Sequence, residues 1–161
     1  MTYDAPLQIH EEAVQPDWID YNGHMNVAYY VLAFDHATDA WFDLLGIGLE
    51  YVEATNCSIF QVECHVNYFQ EVTAGAALRF ELQLLDFDDK RMHYLSRMYH
   101  RDEGFLSATC EWMAVHVDLA ARRSAPMPAA TISRLQDIHE AHAGLERPEQ
   151  ACARIGIVRK A

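Results

Sequence analysis

Val27, Tyr30, Val31, Phe34, Trp41, Phe42 and Leu45 fall three, four or seven residues apart along most of their length, the spacing that aligns side chains on one helical face. A stripe this apolar and aromatic needs cover, and the rest of the chain offers strands to provide it. Asn26 stands where a helix N-cap belongs, and Gly46 where the helix should stop. Asp35, His36 and Asp39 occupy the opposite face, toward solvent or a subunit boundary.

The flanking segments read as those strands. Residues 7–15 form a first strand closed by Pro16, and a connector runs through Thr55. Residues 58–69 are rich in β-branched and aromatic side chains. Residues 79–87 alternate Phe80, Leu82 and Leu84 inward with Arg79, Glu81 and Gln83 outward. Asp88-Asp89-Lys90 and Arg101-Asp102-Glu103-Gly104 supply hairpin turns on either side of a strand at 91–100. Residues 105–119 are apolar on both faces, as an internal strand requires. Pro126 and Pro128 break the pattern before a polar helix at 131–144. The expected fold is α+β: one domain over residues 1–161, with an antiparallel β-sheet wrapped around one long central α-helix. Its core spans about residues 7–128. The tail at 131–161 is helical in its first half and is free to cover a pocket, meet a neighbour or close the sheet edge.

Charge and composition narrow the function. With 51% apolar and 22% charged residues the chain reads as globular and soluble, and no apolar run reaches the roughly 18 residues of a membrane span. A net charge of −12 argues against nucleic acid as partner, leaves room for a small anion on a local basic patch, and suits a cationic substrate. The start Met1-Thr2-Tyr3-Asp4 has no signal-peptide pattern, so a cytoplasmic protein is expected. Cys57, Cys64, Cys110 and Cys152 form no CxxC pair and are expected as buried free thiols. His139 and His142 are spaced i and i+3 without a third ligand, and the neighbours Cys64 and His65 point to opposite faces of a strand. Ligand spacing therefore predicts no metal site.

Chemistry concentrates in Asp17-Trp18-Ile19-Asp20-Tyr21-Asn22-Gly23-His24-Met25-Asn26, immediately ahead of the helix. A turn rich in Asp, Asn and Gly followed by an N-cap is one reading. The run holds more polar groups than a cap requires, however. A carboxylate beside a helix N-terminus can attack a carbonyl or activate water while unpaired N–H groups polarise the carbonyl oxygen.

Asp20-Tyr21-Asn22-Gly23-His24-Met25-Asn26 followed by Tyr29-Tyr30 resembles the D-x-x-G-H-x-N…Y signature of the hotdog-fold, 4-hydroxybenzoyl-CoA thioesterase-like acyl-CoA thioesterases. Weaker matches follow in His65-Val66-Asn67-Tyr68 with Gly75, in Ala108-Thr109-Cys110-Glu111, and in His116-Val117-Asp118 with Arg122, Arg123 and Pro128, so the likeness covers about residues 7–128. The wording Trp-Ile-Asp-Tyr-Asn-Gly-His-Met-Asn is most similar to that of the bacterial betainyl-CoA thioesterases of carnitine breakdown.

The resemblance implies that Asp20 is the catalytic carboxylate, as nucleophile through an acyl anhydride or as general base, with oxyanion donors near Val27. Gly23 would permit a tight turn, and His24 and Asn26 would orient Asp20 or the carbonyl; the alternative for Asn26 is a helix cap alone. Asp17 reads as a solvated turn residue. Glu63 is the reserve carboxylate, and Glu111 would need a partner if buried. A betainyl group is recognised by aromatic faces and negative charge, for which Trp18, Tyr21, Tyr29, Tyr30, Phe69 and Trp112 are available, or are core. Arg122 and Arg123, then Lys90 and Arg91, are the candidates for CoA phosphates. CoA enters as part of the substrate, no further cofactor is expected, and a homodimer or homotetramer is implied. The competing readings are a thioesterase for another acyl-CoA or acyl-ACP, aromatic or fatty, and a non-catalytic acyl-binding module.

Overall fold

The computed structural model describes residues 3–151 and 155–157; Cys152 lies outside them. Strand β1 (Leu7–Ala13) leads through a single 3-10 turn at Pro16–Trp18 into helix α1 (Val27–Leu45) and a short α2 (Leu49–Thr55). Strands β2 (Cys57–Tyr68), β3 (Ala77–Phe87), β4 (Arg91–His100), β5 (Leu106–Asp118) and the two-residue β6 (Arg123–Ser124) follow, then α3 (Ala129–His142). The sheet runs β1-β3-β4-β5-β2, antiparallel throughout, with β6 paired to the end of β5.

The sheet curls around α1, and its register shows how. Phe80, Leu82 and Leu84 of β3 stand opposite Met98, Ser96 and Tyr94 of β4, which in turn face Ala108, Cys110 and Trp112 of β5. All nine are buried, and most join the core cluster with the stripe of α1. That stripe is Tyr30, Ala33, Phe34, Ala37, Thr38, Trp41 and Leu45. The small residues let the helix lie close to the sheet. Val27 departs from the expected stripe, being 61% exposed at the first helical position. Asn26 caps the helix through Ala28, and Gly46 ends it at φ +72°. Asp35 and Asp39 are exposed on the far face, as expected, whereas His36 is half-buried and turns onto Glu12 of β1.

The thiols are less hidden than expected. Cys110 is buried, Cys57 is half-buried, and Cys64 is exposed because it lies on the edge strand β2. Helix α3 packs on β3 and on the end of α1. There the Thr131 hydroxyl and the Arg134 guanidinium donate to the Leu45 carbonyl, at 3.3 and 2.7 Å, satisfying an acceptor the helix leaves open. The helical part of the tail therefore closes the end of the core remote from the start of α1. Among the described residues no helix is long and apolar enough to cross a membrane.

Candidate active site

After the 3-10 turn the chain doubles back, and Ile19 bridges Met25 in antiparallel fashion. Residues 20–24 become a tight loop, closed by Asp20 N–H to the His24 carbonyl at 3.1 Å and Gly23 N–H to the Asp20 carbonyl at 3.0 Å. Gly23 sits at φ +85° with open space where a Cβ would be, so conformation and not room demands glycine. Two bonds fix the base of the loop: Met25 N–H to the Val72 carbonyl and Asn26 N–H to the Trp18 carbonyl, both 2.9 Å. Trp18 is buried and stacks on Tyr29 with ring centres 5.6 Å apart.

This scaffold holds the Asp20 carboxylate by both oxygens. Oδ1 accepts from Asn22 N–H at 2.8 Å, and Oδ2 accepts from the Asn26 side-chain amide at 3.3 Å. The same Asn26 uses its side-chain oxygen to accept the Ala28 N–H at 3.0 Å, and its carbonyl takes the Tyr29 N–H. One carboxamide carries an acceptor and two donors, so capping the helix and steadying the carboxylate are compatible. The Val27 N–H has no acceptor among the described residues and sits at the positive end of the α1 dipole. A half-buried carboxylate beside that free donor is what acyl transfer to water requires.

An open cleft of about 170 Å³ adjoins the helix start, lined by His24, Val27, Tyr30, Tyr68, Phe69 and Glu71 among others. The expected aromatic set divides around it. Tyr30 and Phe69 reach the cleft. Trp18 and Tyr29 form the stack behind the loop, and Tyr21 is 96% exposed at the loop tip. Trp112 is core: it stacks on Tyr94 and sits four residues, about 13 Å, along β5 from Ala108, the partner of Tyr68. His24 turns from Asp20 toward Glu71, its Nε2 lying 3.8 Å from that carboxylate. Asp17 is exposed on the 3-10 turn. Glu63 lies exposed on β2 beside His65, and Glu111 is wholly buried against His93 at 2.8 Å and His65 at 3.4 Å, so neither faces the loop.

Tyr68 is the site residue that sequence reasoning missed. Its hydroxyl donates to the Val27 carbonyl at 3.5 Å, and its ring meets Tyr30 edge-on at 5.1 Å. Burial raises both phenol pKa values, so both hydroxyls keep their protons at neutral pH. The available signal was an aromatic pair, Tyr68-Phe69, at the end of a strand.

The basic candidates gather elsewhere. Arg91 makes a two-pronged ion pair with Asp88 at 2.9 and 2.6 Å, where β4 stands opposite Val115. Arg122 and Arg123 follow the end of β5, and β6 pairs there at Val117 and Asp118. Arg122 takes φ +50°, the left-handed region that few arginines adopt. Asp118 pairs with Cys57 and Ala108 with Tyr68, so eleven residues of β2, about 36 Å, separate these arginines from the Asp20 end of the same chain.

Residues 14–135 match the family model of the thioesterase-like superfamily. The chain belongs to this superfamily. Within it, the chain is 38% identical to a betainyl-CoA thioesterase of Pseudomonas aeruginosa over 94% of this chain and 95% of that protein. It is also 38% identical to the L-carnitine dehydrogenase/betainyl-CoA thioesterase of Rhizobium meliloti, over 94% of this chain but only 30% of that longer protein. A Staphylococcus aureus protein solved in complex with CoA shares the fold at a TM-score of 0.85 and 24% identity, covering 98% of this chain and all of that one. The curled sheet around one helix is thus the hotdog fold of the superfamily, as the sequence resemblance implied.

Proposed function

We propose that the protein hydrolyses acyl-CoA thioesters, with betainyl-CoA as its preferred substrate and betaine and CoA as products. The observation that carries the reading is Asp20, held through both oxygens beside the free Val27 N–H at the start of α1. A thioester set there presents its carbonyl oxygen to the helix and its carbon to Asp20. Asp20 either takes a proton from an attacking water or adds to the carbonyl itself. In both routes the C–S bond breaks and the CoA thiolate leaves and takes up a proton. In the first, water supplies the second oxygen of the acid directly; in the second, water hydrolyses the acyl–Asp20 anhydride, releasing the acid and restoring the carboxylate. No metal or separate cofactor is needed for that chemistry.

The acyl preference draws on the betainyl-CoA thioesterases named above and on distance. In betaine one methylene separates the carbonyl carbon from the quaternary nitrogen. The cation must therefore lie within a few ångströms of the reacting carbon, where aromatic faces can receive it. Tyr30, Tyr68 and Phe69 line the cleft that opens at Val27, with Glu71 for charge. Asp35 and Asp39 are less suitable, since Asp35 lies eight residues, about 12 Å, along the helix from Val27.

CoA is bound between two subunits in this reading. Strand β2 is an uncovered edge of twelve residues with Phe60, Val62 and Tyr68 exposed, a template for antiparallel pairing with a second copy. A two-fold axis near its midpoint sets the partner's β5–β6 end beside Tyr68. A groove of about 250 Å³ there, walled by Phe60, Val62, Val115 and Val117, offers an apolar surface for adenine, and Arg122 and Arg123 supply forks for phosphate. Unpaired Cys57 and Cys64 fit a reducing, cytoplasmic setting.

The test is thiol release from betainyl-, acetyl-, 4-hydroxybenzoyl- and palmitoyl-CoA by wild type and Asp20→Asn. Betainyl-CoA should turn over fastest, and Asp20→Asn should lose about 10²–10⁴-fold in kcat without loss of fold. Faster turnover of another thioester would discard the acyl assignment alone. An unimpaired Asp20→Asn would remove the carboxylate from its role.

A further inference from the structure

We propose that His10, Glu12 and His36 form a binding site for one divalent transition-metal ion, zinc by preference, which clamps edge strand β1 onto helix α1. His10 and Glu12 are two residues apart on β1 and so share a face. They stand opposite Phe80 and Leu78, on the side of the sheet that meets the helix. His36 comes to them from α1. One ligand atom from each of the three lies within 4.8 Å of the others.

The three side chains converge on one small volume. His36 Nδ1 is 3.0 Å from Glu12 Oε2, and His10 Nε2 is 3.6 Å from Glu12 Oε1. The two imidazoles thus flank the two oxygens of one carboxylate, near enough for small side-chain shifts to bring one atom of each residue onto an ion with bonds of about 2.0 Å. A His36–Glu12 hydrogen bond satisfies only part of the group. His10 Nε2 and Glu12 Oε1 are buried atoms without a hydrogen-bond partner among the described residues, a costly state that a shared cation relieves. Two imidazoles with one carboxylate select zinc and its transition-metal neighbours over calcium or magnesium, which favour all-oxygen sites. Three protein ligands leave one tetrahedral position to solvent.

The surroundings suit an ion that holds structure. The His10 ring lies 5.6 Å from Phe80 and the His36 ring 6.3 Å from Trp18, so apolar walls strengthen the electrostatics. Side-chain exposures of 27, 15 and 40% for His10, Glu12 and His36 let an ion enter without unfolding. Trp18 also accepts the Asn26 N–H, so the clamp braces the loop that carries Asp20 from behind while lying outside the chemistry. Sequence spacing could not show the site, because its third ligand is 24 residues away on another element.

The deciding experiment strips the full chain with chelator and titrates zinc by calorimetry, following thermal melting in parallel. One ion per chain and a raised melting temperature are expected. Glu12→Gln and His10→Asn should each weaken binding by more than about tenfold, the cost of losing even an outer partner of a metal ligand, while His139→Ala leaves it unchanged. Cobalt loaded in place of zinc should give the visible bands of a four-coordinate nitrogen and oxygen site without a thiolate charge-transfer band, a readout on wild type that does not depend on any variant folding. Absent binding, equal affinity in Glu12→Gln, or a thiolate band from Cys57 or Cys64 would overturn the proposal. None of these readings depends on thioester hydrolysis.

Discussion

At the scale of single residues, Asn26 shows how one side chain couples folding to chemistry. Its oxygen caps α1 and its amide holds Asp20, so an alanine there would confound two losses. Serine separates them: it caps a helix about as well as asparagine, yet its short side chain cannot also reach the carboxylate. Asn26→Ser should leave thermal stability within about 0.5 kcal/mol of wild type and lower kcat by about tenfold, as melting curves and thiol release would show. An unchanged kcat would reduce Asn26 to a cap. Asp20, Gly23 and Asn26 were legible in the sequence because their partners lie within six residues. Tyr68 reaches Val27 across 41 residues and is marked locally only by its strand-end aromatic pair with Phe69, and the His10–Glu12–His36 group spans two elements.

At the scale of elements, the bounds of α1 were legible to the residue because its cap and left-handed terminator are local signals, while its buried face leaves out Val27 and takes in Ala33, Ala37 and Thr38. Helix α2 went unread: seven residues with none buried carry no periodicity. The function of α3 was equally hidden, because it rests on tertiary bonds. His142 Nδ1 accepts the Leu84 N–H at 3.0 Å, and Nε2 faces the Asp4 carbonyl at 3.2 Å, a pairing that fixes a neutral imidazole with its proton on Nε2. Burial lowers the pKa of this histidine below its ordinary value of 6.5. Below about pH 6.5 the unfolded chain binds the proton and the folded chain resists it, so stability falls as pH falls toward the folded-state pKa. Melting temperatures between pH 7.5 and 5 should therefore decline more steeply for wild type than for His142→Asn, whose side-chain oxygen can still accept from Leu84. Parallel declines would show that the acid sensitivity resides elsewhere.

For the whole molecule, the decisive feature is that the two halves of the proposed site lie at opposite ends of β2. Sequence alone named both Asp20 and the Arg122–Arg123 pair but could not place them apart, since separation along a strand depends on register. Pairing of two copies along β2 predicts that the arginines serve the partner's Asp20, and a hybrid can tell. Asp20→Asn alone should be nearly inactive, and Arg122→Ala/Arg123→Ala alone should be weak at low substrate through a raised KM. In a mixed dimer one site combines the intact Asp20 of the arginine variant with the intact arginines of the Asp20 variant, while the other site has neither. Random exchange makes half the dimers hybrid, each with one of two sites whole, so about a quarter of wild-type activity should return on mixing. If each chain's arginines served its own Asp20, every site in the hybrid would carry a lesion and mixing would restore nothing. Substituting Val62→Lys in both variants should abolish the recovery and yield monomers on size exclusion, because a charge at the centre of an apolar edge opposes its own copy across the axis.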